Sequence, residues 1–117
     1  MPTEVRRLYF SDTEVAKALL AFNTQSKQKF LPPGGLHKLA LRADPDLIVE
    51  LSIETVAGHC ETIIVNESVL GAAIIRFCIS TGVPLPVNSS KSIKLANGQL
   101  AFDISLPREA AVPPLAQ

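Results

Sequence analysis

Apolar and polar positions follow the same order in the two halves of the chain, at a spacing of about 55 residues. The matched segments are Leu8-Tyr9-Phe10-Ser11 with Ile63-Ile64-Val65-Asn66, and Val15, Leu19 and Phe22 with Leu70, Ile74 and Phe77. Further matches are Leu31-Pro32 with Leu85-Pro86, Leu39 and Leu41 with Ile93 and Leu95, and, after a gap, Leu47, Val49 and Leu51 with Leu100, Phe102 and Ile104. The repetition predicts two units, at about 4–56 and 60–106, with one order of elements.

The pattern of the first unit predicts a strand, a helix and two further strands. A strand over 5–10 is followed by Ser11 and Glu14, which have the spacing of a helix capping box. Apolar residues then recur at helical spacing as far as Phe22. After a break rich in Pro and Gly we predict strands over 36–43 and 47–55, and the second alternates apolar and polar residues as a half-buried antiparallel strand does.

The pattern of the second unit predicts the same elements. A strand over 60–65 leads to Asn66, a residue type that favours the N-cap of a helix. The helix is expected to run to about Thr81, because Gly82 follows it as a C-terminal glycine commonly does. Asn97-Gly98 then separates two short strands and is a strong signal for a hairpin, since both residues of its turn need positive φ.

These elements predict an α+β domain over residues 1–106, built from tandem duplicated βαββ units with a mainly antiparallel six-stranded sheet and two helices. In an alternative arrangement, each unit forms its own small sheet and the two sheets close against one another. Residues 107–117 are rich in Pro and Ala and show no periodicity, and we expect a disordered tail there.

Composition and charge restrict the classes of function. The chain has 117 residues, of which 47% are apolar, and no net charge. It therefore has the composition of one globular domain and no global field that would attract nucleic acid or an anionic membrane. Its two cysteines, Cys60 and Cys78, do not make a disulfide framework and are expected to be reduced. No apolar run is long enough to span a bilayer, and the N-terminus has no apolar stretch of signal-peptide type, so we expect a soluble cytoplasmic protein.

The second predicted helix is strongly apolar, and between Val69 and Ile79 its only charged residue is Arg76. One interpretation is a helix that is buried on all sides in the core. We favour the alternative that its outer face, at Gly71, Ile75 and Ile79, packs on another subunit, because so small a domain rarely covers a whole helix. The absence of net charge also favours self-association. The sequence therefore predicts a homodimer or a protein partner that contacts this helix.

A short polar cluster lies at the start of the last hairpin. Ser90, Lys91, Ser92 and Lys94 supply hydroxyl and ammonium donors that suit a phosphate or an acidic segment. The alternative is an ordinary solvated loop and edge, whose lysines discourage sheet extension. A weak binder of anionic ligands or of nucleic acid is the corresponding function, and nucleic acid is the less favoured ligand because basic and aromatic residues are few.

Catalytic chemistry has few candidates in this sequence. No nucleophile stands beside a base in a recognisable pattern, and we predict no catalytic residue, no cofactor and no metal site. The nearest metal candidate is His59-Cys60-Glu61, but adjacent residues of a strand point to opposite faces. The alternative is a small-molecule or metal-dependent enzyme of the paired βαβ-module type. Its ligands would have to come from His37, Glu50, Glu54 and Glu61.

Four segments in about the last third of the chain resemble part of a group of known proteins. They are Ile75-Arg76-Phe77-Cys78, Gly82-Val83-Pro84-Leu85-Pro86, Lys91-Ser92 and Gly98-Gln99-Leu100-Ala101. Together they resemble a stretch in small proteins of alphaproteobacteria whose activity is unknown. The resemblance implies a bacterial cytoplasmic setting but no activity. From these features we predict a non-catalytic interaction or regulatory module that acts through self-association or a protein partner.

Overall fold

The computed structural model describes residues 3–43 and 45–107, and within them the chain forms two helices and six strands. The elements are β1 (Thr3–Phe10), α1 (Asp12–Gln25), β2 (Gly34–Arg42), β3 (Ile48–Thr55), β4 (Cys60–Val65), α2 (Glu67–Ser80), β5 (Ser90–Ala96) and β6 (Gln99–Pro107). The predicted α+β class is therefore confirmed. The predicted tail lies outside the described residues from position 108 onward.

The six strands form two antiparallel sheets of three strands, in the orders β1-β6-β5 and β2-β3-β4. The prediction of a single six-stranded sheet is therefore wrong. The alternative of one sheet per unit is also wrong, because each sheet consists of a hairpin from one half and the first strand of the other half. The physical reason lies in the tight turn between β3 and β4, where the Thr55 amide donates to the His59 carbonyl over 2.7 Å. This turn places β4 on the free side of β3, and β1 is left to pair with β6.

The core is shared by the two halves. The middle strand of each sheet buries large side chains at alternate positions: Val49, Leu51 and Ile53 in β3, and Leu100, Phe102 and Ile104 in β6. Helices α1 and α2 pack against each other, and each also contacts strands of both sheets. Neither half can therefore bury its apolar face alone.

Helix α1 begins at the predicted capping box. The Glu14 amide donates to the Ser11 hydroxyl over 3.2 Å, and the Ser11 amide donates to the Glu14 carboxylate over 2.9 Å. At the other end of the helix, the Lys29 ammonium donates to the Thr24 carbonyl over 2.6 Å. Both ends of α1 thus have partners for backbone groups that would otherwise be unsatisfied.

Helix α2, which positions the candidate site, also has well-defined ends. At its start, the Asn66 side chain accepts a hydrogen bond of 2.9 Å from the Val69 amide, as predicted for an N-cap. At its end, Gly82 has φ of 82°, and the Val83 amide donates to the Cys78 carbonyl over 2.8 Å. This is the Schellman arrangement that a glycine permits. In the described part of the chain, no helix has both the length and the apolar character needed to cross a membrane.

Candidate functional site

A groove of about 640 Å³ lies between helix α2 and strand β5. Residues from three elements line this α2–β5 groove: Glu67, Ser68, Gly71, Ala72 and Ile75 of α2, Lys91, Ser92 and Ile93 of β5, and Phe102 of β6. The Phe102 side chain is almost fully buried and contributes to the lining. The groove therefore combines apolar side chains with a few polar groups, as binding surfaces commonly do.

The α2 wall of the groove lacks a side chain at Gly71, and the other wall is a sheet edge. A Cβ atom on Gly71 would lie 3.9 Å from the Ile93 side chain, and no closer atom opposes it. Strand β5 pairs with β6 on one side only, among the strands that the structure describes. The backbone of α2 and the edge of β5 thus both border the open space.

The three residues predicted on the outer face of α2 differ in their surroundings. Gly71 and Ile75 are partly exposed and line the groove, whereas Ile79 lies one turn further along and is 63% exposed. The opposite face of the helix is buried, through Leu70, Ala73, Ile74 and Cys78. The interpretation of α2 as a helix buried on all sides is therefore wrong.

The four residues of the predicted polar cluster are separated by the pleat of β5. Lys91 is half-buried and alternates with Ser90, Ser92 and Lys94 along the strand. Only Lys91 and Ser92 line the groove. Lys94 lies beside Asp103, at 3.8 Å between ammonium and carboxylate. Two of the four polar residues therefore lie in the same groove as Gly71 and Ile75. The polar cluster and the outer face of α2, which the sequence predicted as separate sites, meet in this groove.

Lys91 is the positively charged residue of the groove. Its ammonium group donates to the backbone carbonyls of Ser89 and Pro86, at 3.2 and 3.4 Å. Within the described residues it forms no ion pair with a carboxylate. The other charged residue of the groove, Glu67, occupies the first turn of α2, where the helix dipole stabilises an anion. An incoming carboxylate would therefore find its strongest partner at Lys91.

The best-formed ion pair of the described residues lies outside the groove. Arg7 binds Asp103 through two hydrogen bonds, of 2.7 Å from Nε and 2.9 Å from Nη2. These hydrogen bonds hold the pKa of the Asp103 carboxyl below its usual range and raise the pKa of the Arg7 guanidinium. The pair joins β1 to β6 across the two halves, and we interpret it as structural.

The candidate metal residues are not brought together in the part of the chain that the structure describes. No group of three or more His, Cys, Asp or Glu side chains within it is placed to hold a metal ion. His37 lies at a bulge of β2, and His59 lies in the turn before β4. The Cys78 thiol is buried in the core, and this burial raises its pKa. A buried thiol with a raised pKa is a poor nucleophile.

Several residues of the groove were not predicted from the sequence as part of a site. Glu67 shares a helix face with Gly71 and Ile75, because these positions are four residues apart. That spacing could have extended the predicted surface by one turn. Phe102 was assigned to the core by alternation, and no local signal shows that one side of its ring borders a groove. Ile93 has the same ambiguity.

The α2–β5 groove thus combines apolar side chains, an open strand edge, the Lys91 ammonium group and the Glu67 carboxylate. No protein-family model, curated protein or solved structure matches this chain, so its function has to be argued from that geometry.

Proposed function

We propose that the protein is a non-catalytic interaction or regulatory module that associates with a second copy or with another protein through the α2–β5 groove and the adjoining Ile79. The observation that carries this proposal is the exposure of Ile79, at 63%, one helical turn beyond Ile75, which lines the groove. Fully burying an Ile side chain contributes roughly 1.5–3 kcal/mol relative to leaving it in water. Contiguous apolar patches beside polar rims are typical of association surfaces.

The tandem duplication predicted from the sequence belongs to the same proposal. It is supported by the order of elements, which is strand, helix, strand, strand in both halves. It is also supported by the reciprocal exchange, in which β1 joins the hairpin of the second half and β4 joins the hairpin of the first. A bacterial cytoplasmic setting, which the resemblance implies, is likewise proposed.

The proposal is tested by site-specific photo-crosslinking in the cells that produce the protein. A photoreactive p-benzoylphenylalanine replaces Ile79 in one variant and Val56 in a control. Val56 is 88% exposed in the turn after β3 and lies outside the groove. We expect a discrete crosslinked product from position 79, to a second copy or to another protein, and none from position 56. Equal crosslinking from both positions, or none from position 79, would contradict the proposal.

A second variant tests whether the groove itself takes part. Ile75→Glu places a carboxylate on the partly exposed wall of the groove and should abolish the crosslink from position 79. The far-ultraviolet circular dichroism and the unfolding midpoint of this variant are compared with those of the native chain. Loss of the crosslink with the fold retained supports the groove, and retention of the crosslink would assign the association to Ile79 without it. Light scattering at micromolar concentration then separates a homodimer from a monomer that binds another protein.

A further inference from the structure

Strand β5 offers unpaired backbone groups along one wall of the groove. It is an edge of its sheet and pairs with β6 alone among the described strands. In an antiparallel edge strand, alternate residues direct both their N–H and their C=O groups away from the sheet. These groups are the ones that an added strand would bind. The open space of the groove lies beside them, between β5 and α2.

We propose that the α2–β5 groove binds an extended peptide segment of another protein, which adds to β5 as a further strand of the sheet. The inference rests on the proposed function and names the class of its partner. Helix α2 forms the opposite wall of the groove, and the absence of a side chain at Gly71 lets the backbone of a bound segment lie close to the helix. The bound segment would thus be held by main-chain hydrogen bonds on one side and by apolar contact on the other.

The side chains of the groove specify what the segment carries. Alternate residues of an extended chain lie on one face and are separated by roughly 6.6–6.8 Å, so their spacing matches that of Lys91 and Ile93 on β5. A side chain beside Ile93 would enter the space between Ile75 and Phe102 and must be apolar. A side chain beside Lys91 would meet its ammonium group and is best acidic. The segment therefore carries a large apolar residue with an Asp or Glu two positions away.

Lys94 and Glu67 are the charged residues nearest to Lys91 at the groove. Lys94 lies 3.8 Å from Asp103 and does not line the groove. Glu67 is stabilised by the N-terminus of α2. The present contacts of Lys91 are two carbonyl groups at 3.2 and 3.4 Å. A carboxylate would form a shorter, charge-assisted hydrogen bond with this ammonium group.

The experiment uses the full chain, immobilised, and a phage library that displays random nine-residue peptides. We expect the selected peptides to share a large apolar residue and an acidic residue two positions apart. The affinity of a synthetic peptide with the selected sequence should fall by about tenfold or more in Lys91→Glu, which corresponds to about 1.4 kcal/mol. Replacing the acidic residue of that peptide with Lys should restore binding to Lys91→Glu. The matched control is Lys38→Glu, which changes an exposed lysine on β2, an edge strand of the other sheet, and should bind as the native chain does.

Amide chemical shifts of the labelled protein locate the bound peptide. Changes concentrated on residues 90–96 and on α2 support the inference, and changes confined to other strands overturn it. It is also overturned if the selection yields no peptide, or peptides without the apolar and acidic pair. A dimer that already protects the β5 amides from exchange would show that a second copy occupies the edge. If crosslinking from position 79 succeeds while the peptide selection fails, the association surface remains and only its extended-peptide partner is wrong.

Discussion

The ring of Phe10 stands edge-on to the ring of Phe102, with the ring centroids 6.5 Å apart and the planes at 61°. Phe10 ends β1 in the first half of the chain, and Phe102 lies in the middle of β6 in the second half. Phe10 also meets Phe77 of α2 edge-on, at 6.1 Å. Such aromatic pairs contribute about 0.5–1.5 kcal/mol beyond the burial of their area. The cluster therefore couples the two halves at the centre of the shared core.

Replacing Phe102 with Ala should lower the free energy of unfolding by about 3–5 kcal/mol, because the change removes a nearly fully buried ring and leaves a cavity. Since both halves share this core, the variant should still unfold in one transition. Urea unfolding followed by circular dichroism and by tyrosine fluorescence measures both quantities. Val5→Ala is the control, because Val5 lies in the same sheet but is 59% exposed, and a surface substitution of this kind changes stability by only about 0.5 kcal/mol. Two separate transitions in the native chain would contradict the shared core.

Most of the fold's elements could be predicted from local signals, but the pairing of strands could not. The capping box at Ser11, the N-cap at Asn66 and the Asn97-Gly98 turn are local features, and the structure has all three. The exchange of β1 and β4 between hairpins depends on contacts far apart in the sequence. The alternation of apolar residues is the same whichever hairpin a strand joins.

The apolar pattern also did not give the correct alignment of β3 with β6, the last strands of the two halves. Leu41 pairs with Val49, and Leu95 pairs with Leu100, so Val49 rather than Leu47 occupies the position equivalent to Leu100. The β2–β3 connection is longer than the two-residue Asn97-Gly98 turn. Apolar and polar residues alternate with a period of two along a strand. Shifting the alignment of the two halves by two residues therefore keeps the same face buried, and the apolar pattern alone cannot show where one half has extra residues.

Replacing Gly34 with Ala should destabilise the protein, whereas Gly35→Ala should be close to neutral. Gly34 has φ of 151°, and a Cβ atom there would overlap the backbone carbonyl of Glu54 on the paired strand β3. A residue forced into such a conformation costs on the order of 1–3 kcal/mol before the overlap is relieved. A Cβ atom on Gly35 meets no atom within 4 Å. The melting midpoints of the two variants test this prediction. Equal midpoints would show that Gly34 does not lie so close to the Glu54 carbonyl.

The Arg7–Asp103 pair should make stability depend on pH in the acid range. Its hydrogen bonds depress the pKa of Asp103 in the folded chain, so the stabilisation is fully present above the ordinary carboxyl pKa of about 4. It is lost as the pH falls through the lower pKa of the folded state. Asp103→Asn should therefore melt at a lower temperature than the native chain at pH 7, and the difference should shrink below about pH 4.

The matched variant for this pair is Arg7→Gln, which removes the partner of Asp103 and leaves the carboxyl in place. It should also lower the melting temperature at pH 7, and the double variant should lose less than the sum of the two single losses, since one interaction is removed in all three. A difference between Asp103→Asn and the native chain that stays constant across the acid range would show that the pair does not stabilise the fold through its charge.

The two thiols should differ sharply in their reactivity toward Ellman's reagent. Cys60 is exposed at the start of β4, whereas Cys78 is fully buried in α2, where burial raises its pKa and disfavours the thiolate. One thiol should therefore react rapidly in the native protein, and the second should react only as the protein opens or when denaturant is added. Cys60→Ser should remove the rapid phase and leave the slow one unchanged. Two rapid thiols in the native chain would contradict the position of Cys78 in the core.

Replacing Gly71 with Ala should stabilise the isolated protein and weaken peptide binding at the same time. A glycine inside a helix is less favourable than Ala by roughly 0.5–1 kcal/mol, and the added Cβ atom would meet the Ile93 side chain at an ordinary contact distance of 3.9 Å. The free energy of unfolding should therefore rise by a similar amount. The same methyl group projects into the α2–β5 groove and should hinder a segment that lies close to the helix. The comparison is with Ala73→Gly, which removes a methyl group from the buried face of α2 and should lower stability without changing the groove. If Gly71→Ala gains stability and keeps full affinity for the selected peptide, the backbone of the bound segment does not approach α2 at this turn.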